Sequence, residues 1–210
     1  MKYSKNLDKI CGLAMSFEIF DNPIEMVKSW LKEAESEEIS DFNAAALTTL
    51  SIDGKPQVRI VLIKSFDQEG ATFFTNLESQ KGKSLLYNNF ASICFHWKSI
   101  KKQIRIEGKV ELISDELADS YFETRSRSSQ IGAWSSLQSR KLENRQVLIE
   151  KVKSIEEKFQ DRKVTRPSFW SGFCLFPDLI EFWKEGDSRL HERVEYIRDG
   201  KKWNRSLLYP

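Results

Sequence analysis

Arg59-Ile60-Val61-Leu62-Ile63-Lys64 is the stretch on which the reading of the fold turns. Four apolar residues, three of them β-branched, stand between two cations, and such a run favours a short strand buried on both faces. A strand of this length spans roughly 20 Å, so its charged ends can reach different parts of one anionic ligand. Taken alone, Arg59 and Lys64 read more readily as charges that merely solubilise the strand ends. The following residues add to the anionic reading. A turn at Asp67-Gln68-Glu69-Gly70 leads to Ala71-Thr-Phe-Phe-Thr-Asn76, and Ser79-Gln80-Lys81-Gly82-Lys83 then opens a helix. Strand, turn, strand and a polar, basic helix start suit a phosphate.

Outward from this stretch the chain reads as a succession of short strands. Residues 44–52 and 58–63 form a hairpin about Asp53-Gly54. Before them, Asn22-Pro23 starts a helix with Ile24, Val27, Trp30, Leu31 and Ala34 on one face. Residues 1–20 lack a clear period and are expected to form a mobile N-terminal segment. Beyond Lys64 come a helix capped by Ser79, strands at 91–97 and 103–112, and a helix at 116–123 capped by Ser114. A helical turn or two at 130–137 follows. A long helix within 140–159 carries Leu142, Ile149, Val152, Ile155 and Phe159 on one face. Strands at 172–176, 179–183 and 193–198 and a last one around Trp203 complete the chain. This density of strands points to a closed barrel or sandwich, with 21–210 as a single β-barrel domain carrying added helices.

Composition narrows the function. Of 210 residues, 40% are hydrophobic and 30% charged, which suits a globular chain with one substantial core. Basic residues number 33 and acidic ones 31, a net charge of +2, so no overall field favours nucleic acid and any anion site is local. Cys11, Cys94 and Cys174 lie far apart, which argues for a reducing compartment and against disulfides or zinc. With only His96 and His191 present, no histidine-rich metal centre is expected. The apolar patch at 10–17 is too short to cross a membrane and lacks a signal-peptide pattern, so the expected location is the cytoplasm, without a membrane partner. Glycine-rich dinucleotide and phosphate-loop motifs and the Gly-x-Ser-x-Gly elbow are all absent.

Two further constellations suit an anionic substrate. Arg125-Ser126-Arg127-Ser128-Ser129 offers guanidinium and hydroxyl groups fit for phosphate oxygens, although the same run reads as an exposed loop or a kinase target. In Trp183 to Arg193, Arg189 and His191 alternate along what reads as an extended segment, so both would face one side. A rigid cation beside a titratable imidazole suits an anionic or proton-bearing substrate, while a structural hydrogen bond is the plainer role for His191.

In combination, Arg59 to Lys64, Phe74-Thr75-Asn76, Ser79-Gln80-Lys81, Gln103, Tyr121-Phe122 with Arg125, Ser129-Gln130-Ile131-Gly132-Ala133-Trp134, Gln138-Ser139, Pro167 to Phe173, Glu181-Phe182-Trp183 and Arg189-Leu190-His191 resemble the pyridoxamine 5′-phosphate oxidase family, from about Asp41 to the C-terminus. The resemblance implies a mainly β fold with added helices, the FMN-binding split β-barrel, as a homodimer with FMN at the subunit interface. It implies that Arg59 and Lys81 hold the FMN phosphate, and that Ile60, Val61, Leu62, Ile63, Lys64, Phe74 and Thr75 line the cofactor. Gln103, Gln138, Ser139, Trp183 and Arg193 would complete that site. Lys64, Tyr121, Arg125 and Ser129 would grip the substrate phosphate. Arg189, Leu190 and His191 would meet the substrate, with Arg189 and His191 as the catalytic pair over its pyridine ring.

The implied reaction oxidises pyridoxamine or pyridoxine 5′-phosphate to pyridoxal 5′-phosphate, with oxygen as acceptor and hydrogen peroxide as product. Two alternatives stand beside it. One is a related split-barrel flavin oxidase such as a phenazine-pathway enzyme, whose precursors carry no phosphate for Tyr121, Arg125 and Ser129. The other is a non-catalytic protein that binds FMN or pyridoxal phosphate. The sequence departs from the family pattern at Gln80, where an arginine often stands, at Glu192, at Leu207, and in having no N-terminal Arg-x-x-Tyr segment.

Overall fold

A computed structural model describes residues 15–210. Most of the segment expected to be mobile, together with Cys11, lies outside the described residues. Met15, Phe17, Ile19 and Phe20 pack against the main core. Helix α1 (Pro23–Glu37) starts as its sequence requires: the Asn22 side chain accepts the Ile24 N–H at 3.0 Å and Pro23 takes the first helical position. Its buried face includes Ile24, Val27, Trp30 and Ala34. Trp30 meets Phe17 and Phe182 edge-on at 5.2 and 5.1 Å. Buried Lys102 donates to Glu33 at 2.6 Å with its ammonium 4.5 Å from the centre of the Trp30 ring.

Among the described residues nine strands make one antiparallel sheet: β1 (Ala44–Leu50), β2 (Pro56–Leu62), β3 (Ser65–Phe66), β4 (Ala71–Asn76), β5 (Phe90–Trp97), β6 (Lys102–Leu112), β7 (Trp170–Lys184), β8 (Glu192–Asp199) and β9 (Lys202–Leu208). Their order is β2-β1-β5-β6-β7-β4-β3, with β8 paired to β7 and β9 to β8. The two strands expected at 172–176 and 179–183 are one. The first half of β7 pairs with β4 and the second with β8, while β6 runs along both. Pro177 has no N–H to give a ladder, and it sits opposite Gly108 where the register shifts after Glu107. A bulge there absorbs the missing donor without ending the strand.

The stretch 59–64 lies in β2 as far as Leu62, with Ile63 and Lys64 just beyond it, and is not buried on both faces. Val61 and Ile63 are buried, whereas Val58, Ile60 and Leu62 are exposed. β2 is an edge strand, and among the described residues Val58, Ile60 and Leu62 stay exposed on its outer face.

Helices α2 (Gln80–Tyr87), α3 (Asp115–Thr124), α4 (Arg127–Ser135) and α5 (Arg145–Lys158) complete the described elements. Helix α4 begins three residues before the expected 130, because Ser126 caps it by accepting the Ser129 N–H. Phe122, Ile131, Ile155, Phe159, Val164 and Trp170 form a second core cluster. The stripe expected on the long helix is only partly buried. Leu142 precedes α5 and is exposed, as is Ile149 on the outer side, leaving Ile155 and Phe159 to anchor it.

A methyl group on Gly108 would lie 1.9 Å from the Phe176 carbonyl oxygen. Gly108→Ala should therefore destabilise the protein by about 1–3 kcal/mol, read as a lower urea midpoint at unchanged slope.

Candidate functional site

A cleft of about 710 Å³ opens between β2, β4, α3 and α4, within the range usual for small-molecule sites. Its floor is apolar, with Ile60 and Leu62 from the open face of β2 and the ring of Phe74. Cations stand at both ends.

At one end are Arg59 and Lys81. Arg59 lies beside the cleft, fixed by Nη1 donating to the Leu47 carbonyl at 3.2 Å, the Thr49 hydroxyl at 2.8 Å and the Gln57 carbonyl at 2.9 Å. Ser79 caps α2 by accepting the Gly82 N–H, which sets Lys81 in the first turn. Lys81 Nζ donates to Thr75 Oγ1 at 3.0 Å and Gln138 Oε1 at 3.1 Å. Every one of these acceptors is neutral. Burial and then the nearby Arg59 charge lower the Lys81 amine below the ordinary lysine value, and burial lowers Arg59. Two cations held close with neutral acceptors fit a bound phosphate.

At the other end is Arg125. Tyr121, Phe74 and Trp170 stack nearly parallel, with Tyr121 and Phe74 centred 3.8 Å apart at 13°. The Arg125 guanidinium lies 4.8 Å from the Trp170 ring centre. Its Nη1 is buried and has no hydrogen-bond partner among the described residues. Burial lowers the Arg125 pKa, opposed by Tyr121. Beside it, Ser126 Oγ donates to Ser129 Oγ at 2.8 Å at the N-terminus of α4. A buried donor without an acceptor, two hydroxyls and a helix N-terminus together favour an anion.

Of the residues expected at a site, Ile60, Val61, Leu62, Lys64, Phe74, Thr75, Lys81, Tyr121, Arg125, Ser129 and Gln138 line this cleft. Ile63 turns into the core, and Ser139 stands next to Gln138 without lining, in the left-handed region at φ 69°. The others gather elsewhere. Gln103, Trp183 and Arg193 lie directly opposite one another across β6, β7 and β8, in one row on one sheet face. The Trp183 and His191 rings are 4.7 Å apart, and the Gly186 N–H donates to His191 Nδ1 at 3.2 Å, leaving Nε2 as the protonated nitrogen of the neutral ring. Arg189 and His191 do not alternate along an extended segment. Asp187–Arg189 form a 3-10 turn in which Ser188 and Arg189 are both left-handed, at φ 56° and 65°. Two such non-glycine residues in succession hold a strained turn. A Cβ on Gly186 would meet the Leu190 carbonyl at 2.0 Å, so glycine permits the close turn.

Trp170, Ser126, Asn76 and Ser136 also line the cleft and had no assigned role. Asn76 and Trp170 belong to the stretches that carry the resemblance, and Ser126 to the Arg/Ser run, so a signal was present for these three.

A family model described as "Pyridoxamine 5'-phosphate oxidase" matches residues 31–159, and one described as "Pyridoxine 5'-phosphate oxidase C-terminal dimerisation region" matches residues 170–210. A Gluconobacter oxydans protein named pyridoxine/pyridoxamine 5′-phosphate oxidase is 47% identical over 189 residues, covering 90% of this chain and 94% of that protein. The crystal structure of PhzG from Burkholderia lata, in complex with tetrahydrophenazine-1-carboxylic acid, superposes with a TM-score of 0.87 at 28% identity, covering 95% of this chain and 98% of that one. A pyridoxamine 5′-phosphate oxidase-related, FMN-binding protein from Nostoc punctiforme superposes with a TM-score of 0.71 at 15% identity, covering 93% and 100%, a likeness of fold. Among the described residues no helix is long and apolar enough to cross a membrane, and no group of side chains forms a metal cluster.

Because an amine attracts an anion only while protonated, phosphate-ester binding beside Lys81 should weaken as pH rises through its lowered pKa, earlier than at an ordinary lysine. Isothermal titration of FMN across alkaline pH should show this fall, and Lys81→Met should bind more weakly and lose that part of the pH dependence.

Proposed function

The chain belongs to the pyridoxamine 5′-phosphate oxidase family, and we propose that it is an FMN-dependent oxidase converting pyridoxamine and pyridoxine 5′-phosphate to pyridoxal 5′-phosphate, with oxygen as acceptor and hydrogen peroxide as product. The observation that carries the substrate reading is the buried, unpartnered Arg125 Nη1 beside Ser129 and the Tyr121 stack. A phosphate ester supplies the missing acceptor. That group weighs against a phenazine-like substrate without phosphate, despite the likeness to PhzG.

Arg59 and Lys81 would bind the FMN phosphate, while Ile60, Leu62, Phe74 and Thr75 shape the wall along the cofactor. Gln138, which accepts from Lys81, and Ser139 would close its edge. Bound FMN supplies the two-electron acceptor. The protein contributes placement: Arg125, Ser129, Tyr121 and Lys64 hold the substrate by its phosphate, far from the reacting carbon, and so orient that carbon.

Arg189, His191, Trp183 and Arg193 would come to this cleft from a second copy of the chain. Trp170 in the cleft and Trp183 in the other cluster begin and end the same strand, roughly 40 Å apart along it. Two copies in a homodimer bring the halves together, in keeping with the dimerisation-region match over 170–210. His191, with Nε2 protonated, and Arg189 would then face the substrate ring.

Mixing FMN-loaded protein with pyridoxine 5′-phosphate under anaerobic conditions should bleach the flavin absorbance, and air should restore it with release of pyridoxal 5′-phosphate. A flavin that stays oxidised with both B6 phosphates would refute the oxidase. Removing a charged hydrogen bond costs about 1.5–3 kcal/mol, so Arg125→Ala should raise KM roughly tenfold to a hundredfold while FMN affinity stays unchanged. Arg189→Ala should slow flavin reduction with FMN retained.

A further inference from the structure

Glu181 is a buried carboxylate to which the family resemblance gives no role. It is 3% exposed, on the same face of β7 as Trp183 and diagonal to Arg193 on β8. Side chains on adjacent strands meet across this diagonal when they are long. Glu181 Oε1 accepts from Arg193 Nε at 2.8 Å and forms an ion pair with Nη2, also at 2.8 Å, while Arg193 Nη1 donates to the Tyr209 carbonyl at 2.9 Å. Its other oxygen, Oε2, accepts no well-aligned hydrogen bond and lies 3.0 Å from Arg105 Nη2. Arg105 is the residue directly opposite Glu181 on β6, and its Nε approaches Glu107 at 3.4 Å.

We propose that Glu181 is a positioning residue for the cofactor site: it clamps the guanidinium plane of Arg193 beside Trp183, and Arg105 holds the carboxylate in place from the opposite side. An arginine near a strand end has many rotamers, and a hydrogen bond and an ion pair to one carboxylate, with the third nitrogen on a backbone carbonyl, restrict them. A buried carboxylate is unfavourable unless its charge is matched, and Arg105 and Arg193 match that of Glu181 from opposite sides. Packing alone asks for an apolar residue at this buried strand position. A carboxylate there fits the need to hold Arg193.

This inference rests on the reading of Arg193 as a cofactor contact, and a double-mutant cycle separates the two. Full-length protein stripped of FMN is titrated with FMN, following quenching of flavin fluorescence, and the flavin visible band of each loaded variant is recorded. Glu181→Gln should weaken FMN binding roughly tenfold and shift that band, and Arg193→Gln should weaken it at least as much. In the Arg193→Gln background, Glu181→Gln should cause no further loss, since its action passes through Arg193. If Arg193→Gln leaves FMN affinity unchanged, the cofactor reading of Arg193 fails, and the inference with it. If Arg193→Gln weakens binding but the Glu181 change does not, or the two losses add, Glu181 is structural only and the inference is overturned. Should Glu181→Gln not fold, Glu181→Asp, which keeps the charge but draws it back from Arg193, takes its place in the same cycle with the same criteria.

Discussion

One strand serves two ladders, and the rest of the arrangement follows from that. β7 must pair with β4 over its first half and with β8 over its second while β6 follows it throughout. The bulge at Gly108 and Pro177 reconciles these demands, because a strand this long otherwise accumulates twist that two partners on one side do not share. The cleft residues of β4 therefore sit near one end of β7, and the Trp183, His191 and Arg193 group at the other. Helix α1 braces the second end through Trp30 against Phe182.

The cleft is prepared for charge before any ligand arrives. Arg59 is tied to three neutral oxygens, Lys81 to two, and Arg125 lies over Trp170 with one nitrogen unanswered. Burial disfavours the charged form of all three, and the nearby Arg59 charge adds to this at Lys81. Holding cations in this way lowers stability in the free protein and saves reorganisation on binding, which is how preorganised sites act. Ser188 and Arg189 likewise hold a strained turn, whose left-handed backbone fixes the point from which the Arg189 side chain leaves.

Local chemistry made much of this legible in the sequence. Asn22-Pro23, Ser79 and Ser114 start helices where they were expected to, because capping depends on a few neighbouring atoms. The misreadings are of another kind. Whether both faces of 59–64 are covered depends on where β2 falls in the sheet, and that is settled by β5 taking the other side of β1. Pro177-Asp178 looks like a strand end unless one knows that Gly108 lies across from it. The left-handed turn at Ser188 has no glycine at the left-handed positions, so it read as extended. In the site, the cationic ends and the Arg/Ser run were readable from residue type alone. That they fall into two separate groups was not, since it follows from the length of one strand.

That separation bears on inheritance. In a dimer where each site takes its cleft from one copy and Trp183, His191 and Arg193 from the other, a chain damaged only in the cleft and a chain damaged only in the second group form a mixed pair with one whole site. Two alleles each inactive alone would then complement each other. A chain damaged in both groups would instead spoil both sites of every pair it enters, and so act as a dominant poison. In such a dimer the distance from Trp170 to Trp183 along β7 would decide which combinations of defects a cell with two alleles survives.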